Sequence, residues 1–140
     1  MKLLSFCICD DIRTEIGKKF SIIGTYSDKI IFNVPKEQKG KWPKHLKLGF
    51  FARILLEDAA PKYFNFKMKG AEHQLVLVKG ELENISPDNP IITLSLIHPQ
   101  VVFPSAGRYE FTYEFLDINN NPIGAISPYI DLAVQERATE

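Results

Sequence analysis

The residues best suited to chemistry lie near the start of the chain, where Cys7 and Cys9 precede Asp10 and Asp11. Two thiolates at this spacing could both bind a metal, but a closed zinc site needs about four nitrogen or sulphur ligands. The three histidines are scattered, and no second cysteine pair exists. Because a buried cysteine behaves as a small hydrophobic residue, we interpret both cysteines as structural.

Carboxylate and amide oxygens suggest a second chemistry, because calcium prefers oxygen ligands. Asp10 and Asp11 follow the first apolar segment, and Asp117 and Asn119 lie more than a hundred residues later. Loops that are distant in sequence can meet at one end of a two-sheet domain. These four residues therefore define an alternative reading, a calcium- or small-ligand-binding sandwich that uses acidic loops.

Residues 117–121 begin like a calcium-binding loop, with the pattern D-x-N-x-N. The pattern then departs from that loop, since Pro122 stands where glycine is required and Pro128 where a bidentate glutamate is expected. Asparagine tolerates left-handed backbone conformations, so the segment favours a hairpin turn. We therefore predict no metal site in the preferred interpretation.

Motifs for covalent or cofactor chemistry are missing from the sequence. It contains no G-x-S-x-G elbow, no H-E-x-x-H zinc helix, no phosphate-binding glycine loop and no dinucleotide fingerprint. The sequence therefore predicts a protein without enzymatic activity and without a cofactor.

A basic segment surrounds the single tryptophan. Residues 36–47 contain five lysines and one glutamate. Such a segment could contact a protein, because tryptophan is frequent at interface hot spots, or it could bind nucleic acid through phosphate contacts and base stacking. A solvated loop whose tryptophan folds back onto a sheet is the plainest alternative. A protein contact is favoured over nucleic acid, and its candidate residues are Lys39, Lys41, Trp42, Lys44 and His45.

Alternation of apolar and polar residues dominates the rest of the chain and predicts half-buried strands. In residues 109–115 the aromatic side chains occupy one face, whereas Glu110, Thr112 and Glu114 occupy the other. No segment has a sustained helical period. Further alternating runs lie at 30–34, 46–57, 64–69, 92–96 and 130–134.

Strands with one apolar face must bury those faces against each other. Residues 1–140 are therefore predicted to form one all-β domain, a two-sheet antiparallel β-sandwich of immunoglobulin-like or Greek-key type with about eight to nine strands. Tyr109 follows a glycine-containing corner at Pro104–Arg108, which predicts a tyrosine corner. A partly open barrel is the alternative.

Charge is unevenly distributed along the chain. Residues 1–80 have fifteen Lys/Arg and eight Asp/Glu, whereas residues 81–140 have two and nine. Because antiparallel strands from both halves pair, we expect much of this contrast to cancel in space. No apolar run approaches the about 20 residues that cross a bilayer, and Asp10 follows a short apolar start without a cleavage site. We expect a cytoplasmic protein that does not contact a membrane.

The N-terminal segment resembles a family of small uncharacterised bacterial proteins. The resemblance rests on Cys9-Asp10-Asp11-Ile12-Arg13 with Glu15, Gly17 and Lys18, followed by Ser21-Ile22-Ile23-Gly24-Thr25-Tyr26. It covers residues 3–35 well, and later only the corner from Phe103 to Phe111. It implies a sheet-rich fold and a bacterial setting, and it transfers no catalytic residue.

The same residues suit a β-hairpin in physical terms. Gly17 would form its turn because glycine accepts a positive φ, and Phe20 and Ile22 would return on the core side. The sequence as a whole predicts a non-enzymatic protein-interaction or structural module, which could be a subunit of a larger bacterial assembly or self-associate. The expected contacts are its sheet edges and the segment around Trp42.

Overall fold

The computed structural model describes residues 1–83, 85–128 and 131–139. A 3₁₀ turn spans Lys36–Gln38, and no helix in these ranges is long and apolar enough to cross a membrane. The strands of the described residues are β1 (Lys2–Glu15), β2 (Lys19–Tyr26), β3 (Lys29–Pro35), β4 (Lys44–Leu55), β5 (Tyr63–Lys69), β6 (Gln74–Glu81), β7 (Ile91–Phe103), β8 (Gly107–Leu116), β9 (Pro122–Ile126) and β10 (Leu132–Thr139).

The strands form two sheets that pack face to face. The first has four strands in the order β2-β1-β4-β7. The second has six, with β3-β10-β8-β5-β6 in order and β9 paired to β8. The short β9 and β10 share one side of β8, because β10 pairs with its first residues and β9 with its last. This architecture confirms the all-β two-sheet sandwich.

The core lies between the two sheets and consists of the alternating apolar side chains that the sequence predicts. Strand β4 contributes Leu48, Phe50, Ala52 and Ile54, all fully buried. Strands β5 and β8 face them, with ring centroids of Phe50 and Phe66 4.8 Å apart. Aromatic pairs at such distances stabilise a core beyond the area they bury.

The structure has ten strands in its described residues, rather than eight or nine. Strand β6 lacks alternation because Leu75, Val76, Leu77 and Val78 are consecutive apolar residues, and β9 has only five residues. One adjacent pair, β3 with β10, is parallel, whereas the other pairs are antiparallel. The position Ile130 in the predicted run 130–134 lies outside the described residues.

The predicted tyrosine corner is confirmed. The Tyr109 hydroxyl donates a hydrogen bond of 2.6 Å to the Ser105 carbonyl oxygen, and the Ser105 N–H lies 3.3 Å from the same hydroxyl. This contact fixes the corner between β7 and β8. It therefore fixes where the C-terminal end of β7 leaves the first sheet.

The β1–β2 hairpin confirms one expectation and corrects another. Gly17 has φ of +84°, as its turn requires. Phe20, however, is not in the core: it is 38 % exposed, and its ring lies 5.4 Å from Phe51 on the outer face of the first sheet. Ile22 is similarly exposed at 37 %. The hairpin bends at Gly24, where φ is +67°, so its apolar face covers the outside of the sheet rather than the core.

Candidate functional site

Strand β7 forms one edge of the first sheet. It pairs with β4 on one side, and no strand among the described residues pairs with its other side. An unpaired edge presents a row of backbone N–H and C=O groups that can accept another strand. This side of β7, from Ile91 to Ile97, is called the β7 edge below.

The pairing with β4 determines which backbone groups point outward at the β7 edge. The Leu56 N–H donates to the Pro90 carbonyl at 2.8 Å, so position 90 points its backbone towards β4. In an antiparallel ladder this direction alternates residue by residue. Ile91, Thr93, Ser95 and Ile97 therefore direct their N–H and C=O groups away from β4, into open space.

The β7 edge has none of the usual features that prevent strand addition. Its sequence, IITLSLI, contains no charged residue, no proline and no glycine. The C-terminal part of β7 is protected, because Pro99 lies near a shift of register opposite Leu46 and Leu48. Natural edge strands avoid association by such charges, prolines and bulges. The unprotected part is therefore limited to residues 91–97.

The other edge strands of the described residues carry features that disfavour strand addition. Strand β2 contains Gly24, whose φ is positive, β3 begins at Lys29 and ends at Pro35, and β9 has only five residues and contains a proline and a glycine. Strand β6 contains a register shift and ends in charged residues. The β7 edge is thus the longest regular uncharged edge in the described structure.

A groove separates the β7 edge from β6 of the second sheet. Its volume is about 450 Å³, and its walls include Phe64, Leu82 and Leu94. Leu94 is 6 % exposed and belongs to the core, whereas Thr93 lies on the outer face and is exposed. Phe64 and Leu82 are likewise already buried, and the groove is also lined by the exposed Glu81 and Glu83.

The segment around Trp42 is tied to its own chain. The Trp42 ring is half-buried and meets Phe32 edge to face at 6.3 Å between centroids. The Lys44 ammonium lies 5.4 Å from the centre of the Trp42 ring and 3.2 Å from a Glu136 carboxylate oxygen. The structure therefore places Trp42 and Lys44 in contacts within the sandwich, at the start of β4.

Glu136 on β10 holds this segment from the other sheet. Its carboxylate accepts the Gly40 N–H at 2.9 and 3.1 Å, and its side chain is only 8 % exposed. Burial by itself raises the pKa of this carboxyl. Hydrogen bonds from the Gly40 N–H and the Lys44 ammonium outweigh that effect, so the pKa is lowered from its ordinary value.

The remaining candidates of the basic segment are exposed. Lys39 and Lys41 lie at the surface of the loop, and His45 is exposed on β4. The His45 Nδ1 lies 3.1 Å from the Gln100 amide nitrogen on β7. The five candidates thus occupy one end of the sandwich, but they do not form one accessible face.

The acidic candidates are separated between the two sheets. Asp10 accepts the Tyr26 hydroxyl at 2.5 Å, and the Lys47 ammonium binds Asp11 at 3.2 Å. Both contacts lie in the first sheet. The Lys47 hydrogen bond is the main cause of the lowered pKa of Asp11. Burial, together with the hydrogen bond to Asp10, raises the pKa of Tyr26 to about 12.

Asp117 and Asn119 belong to the turn between β8 and β9. One Asp117 oxygen accepts the N–H groups of Asn119 and Asn121, at 2.8 and 2.9 Å. Asn120 has φ of +64°, which confirms the predicted asparagine-rich hairpin turn. Within the described ranges, no three His, Cys, Asp or Glu side chains form a group that could hold a metal ion.

The two cysteines are free and packed in β1. Burial is the main cause that raises the pKa of Cys9 to about 11, and burial also raises the pKa of Cys7. Both therefore remain protonated at neutral pH. A protonated thiol is a poor nucleophile.

As the sequence-based expectation requires, ion pairs join the basic first half of the chain to the acidic second half, at Lys44–Glu136, Lys62–Glu81 and Lys67–Glu114. A charge contrast nevertheless remains between the two ends of the sandwich. At the end where β4 finishes and β7 begins, the loops expose Glu57, Asp58, Glu83 and Asp88. At the opposite end, the segment before β4 exposes lysines at 36, 39 and 41. The contrast survives because the loops, rather than the paired strands, carry these charges.

No family model, curated protein or solved structure matches this chain. The family resemblance of the N-terminal segment therefore remains an expectation, and the function must be argued from the geometry alone.

The alternation of residues 92–96 predicted β7, but it did not predict that β7 lies at an edge. Position in a sheet depends on long-range pairing, which alternation does not encode. The sequence contains one signal of an edge, the prolines at 90 and 99, because proline within sheets is confined to edges, strand starts and bulges. The uncharged run between them suggests an interior strand instead.

Proposed function

We propose that this protein is a non-enzymatic protein-interaction module that binds its partner by strand addition at the β7 edge. The observation that carries this proposal is the regular, uncharged and unpaired edge from Ile91 to Ile97. Strand addition uses backbone hydrogen bonds for affinity and side-chain contacts for specificity.

Two features of the site support a protein partner rather than a small ligand. The outward groups of the β7 edge are backbone N–H and C=O groups at a regular spacing, which match another extended chain. The groove beside it is open, and its apolar lining residues Leu82 and Leu94 are already buried, so it offers little apolar surface to a small ligand.

The basic segment has a secondary role in this proposal. Trp42 and Lys44 contact Phe32 and Glu136, so they stabilise the sandwich. Lys39 and Lys41 remain exposed and provide positive charge at one end. Such charge steers an acidic partner surface and increases the association rate more than the affinity.

Site-specific photo-crosslinking in cells tests the proposal. A photoreactive amino acid replaces the exposed Thr93, and matched versions replace Val76 on the β6 edge and Lys41 in the basic segment. We expect a protein adduct from position 93 and far less from positions 76 and 41. An adduct from position 41 alone would transfer the contact to the basic segment and refute the β7 assignment.

A further inference from the structure

We propose that the strand received by the β7 edge is β7 of a second copy of this chain, paired antiparallel about a two-fold axis at Leu94. This inference rests on the strand-addition function proposed above and identifies its partner. It follows from the order of residues in β7, the direction of its backbone groups and the charges at the two ends.

The β7 edge has a sequence pattern that is the same in both directions. IITLSLI consists of two apolar residues, a hydroxyl residue, an apolar residue, a hydroxyl residue and two apolar residues. A two-fold axis reverses the second strand, so Thr93 meets Ser95 of the second copy and Ile91 meets its Ile97. Each residue therefore faces a residue of its own chemical class, as a self-complementary interface requires.

The same register satisfies the backbone. Thr93 and Ser95 both direct their N–H and C=O groups outward, so their pairing across the axis forms a hydrogen-bonded pair. Ile91 and Ile97 form the next such pair. Leu94 meets its own copy at the axis as a non-hydrogen-bonded pair, which brings the two side chains close together.

Pro99 limits the pairing at both ends. In this register the next outward pair after Ile91 and Ile97 would join Asn89 of one copy to Pro99 of the other. Proline cannot donate a hydrogen bond to a ladder. The paired region therefore ends on both sides of residues 91–97, and longer strand growth is blocked.

Charge favours the antiparallel arrangement over a parallel one. The loop before β7 exposes Glu83 and Asp88, whereas the far end of the sandwich exposes lysines such as Lys41. An antiparallel pair places the acidic end of each copy beside the basic end of the other. A parallel pair would align like charges, which is unfavourable.

Mixed disulfide crosslinking tests the register directly. One sample contains the Thr93→Cys variant, another the Ser95→Cys variant, and a third contains both with different tags. A hydrogen-bonded pair separates its Cα atoms by about 5.5 Å, within the range a disulfide spans. We therefore expect a crosslinked heterodimer in the mixture and little crosslinking in either single sample. The unaltered chain, oxidised in the same way, controls for Cys7 and Cys9.

Sedimentation measurements on the full chain test whether the dimer exists and uses this edge. We expect the unaltered chain to form dimers. The Thr93→Lys variant introduces a lysine twice near the axis, and we expect its dimer dissociation constant to rise at least about tenfold. Val76→Lys, the same change at an exposed position of β6, is the matched control and should leave the dissociation constant unchanged.

Each other outcome overturns the inference in a recognisable way. A dimer that Thr93→Lys does not weaken, and that gives no mixed crosslink, uses a different surface. A chain that stays monomeric, while photo-crosslinking at position 93 captures a different protein, refutes self-pairing and leaves strand addition intact. A monomeric chain with no adduct at position 93 refutes both proposals.

Discussion

The β7 edge and the part of the basic segment from Gly40 to Lys44, called the Trp42 segment here, differ in where their polar groups find partners. The Trp42 segment directs its backbone and side chains into its own chain, since Gly40 and Lys44 both bind Glu136. The β7 edge directs the N–H and C=O groups of alternate residues outward, where the described chain has no strand to receive them. The first region closes the sandwich, and the second leaves it open to association.

This difference shows that residue type alone does not reveal whether a side chain is available for contact. Tryptophan and lysine are frequent at binding surfaces, yet here Trp42 packs against Phe32 and Lys44 is only 13 % exposed. Threonine and serine are not typical interface residues, but the backbone groups of Thr93 and Ser95 lack partners within the described chain. The position of a residue in the sheet decides its role.

Proline substitutions on adjacent residues provide the largest expected contrast. The Leu94 N–H points towards β4, so Leu94→Pro removes a ladder bond and leaves its partner carbonyl unsatisfied, which should cost about 3 kcal/mol beyond Leu94→Ala. The Thr93 N–H points outward, so Thr93→Pro should cost only about 1 kcal/mol beyond Thr93→Ala. Urea unfolding of the four variants measures both differences, at protein concentrations where the monomer dominates.

Equal losses for the two proline variants would contradict the assigned backbone directions. The alanine variants remove the contribution of the side chains, which matters because Leu94 is buried and Thr93 is exposed. The difference in stability between each proline variant and its alanine control therefore reports on the backbone alone.

Removing the tryptophan tests the other region. Because the Trp42 ring is half-buried against Phe32, Trp42→Ala should lower the free energy of unfolding by about 2 kcal/mol. The dimer dissociation constant should stay the same if this segment stabilises the fold and does not take part in dimer contacts. Lys41→Ala, an exposed neighbour, is the control and should change neither quantity. An unchanged stability together with lost binding would return the functional role to this segment.

Two tyrosines on β8 distinguish satisfied from unsatisfied polar groups inside the protein. The Tyr109 hydroxyl binds Ser105, so Tyr109→Phe should lower stability by about 1 kcal/mol. The buried Tyr113 hydroxyl has no hydrogen-bond partner among the described residues, and burial raises its pKa. Tyr113→Phe should therefore raise stability by about 1 kcal/mol. Stability changes of opposite sign for the two variants in thermal unfolding would confirm that a buried hydroxyl stabilises the fold only when it has a hydrogen-bond partner.

The smallest expected effect concerns acid pH and Glu136. The native pKa of this carboxyl lies below its ordinary value of 4.5. Its contribution to stability is therefore complete above that value and is lost as the pH falls through the lower native pKa. Glu136→Gln should be less stable than the unaltered chain at pH 7, and the difference should shrink below about pH 4.5. Unfolding curves across this range measure it, and a difference that is constant with pH would contradict the role of the carboxylate.

Much of the fold could be predicted from local patterns. The alternation in β4 and β8 identifies their buried faces, because side chains of a strand alternate between two sides. The glycine at position 107 and Tyr109 together indicated the corner that the hydrogen bond to Ser105 confirms. Strand β6 was missed because four consecutive apolar residues hide its period.

The position of the N-terminal hairpin could not be predicted from alternation. Phe20 has the pattern of a core residue, yet it packs on the outside of the sheet against Phe51. Gly24 lies in this hairpin with a positive φ, and the segment before it packs its apolar side chains on the outside of the sheet. Alternation does not reveal which of the two faces meets the core, because both faces of a strand have the same period.

The sequence by itself determined most of the strands, the two-sheet sandwich and the self-complementary pattern IITLSLI, because these depend on the order of residue types along a strand. Only the tertiary structure decided which strand lies at an edge, where Trp42 packs, and that charge separates to the two ends. These properties depend on which distant strands pair, and pairing is decided by the burial of the complete core. The β7 edge is exposed because the first sheet ends there.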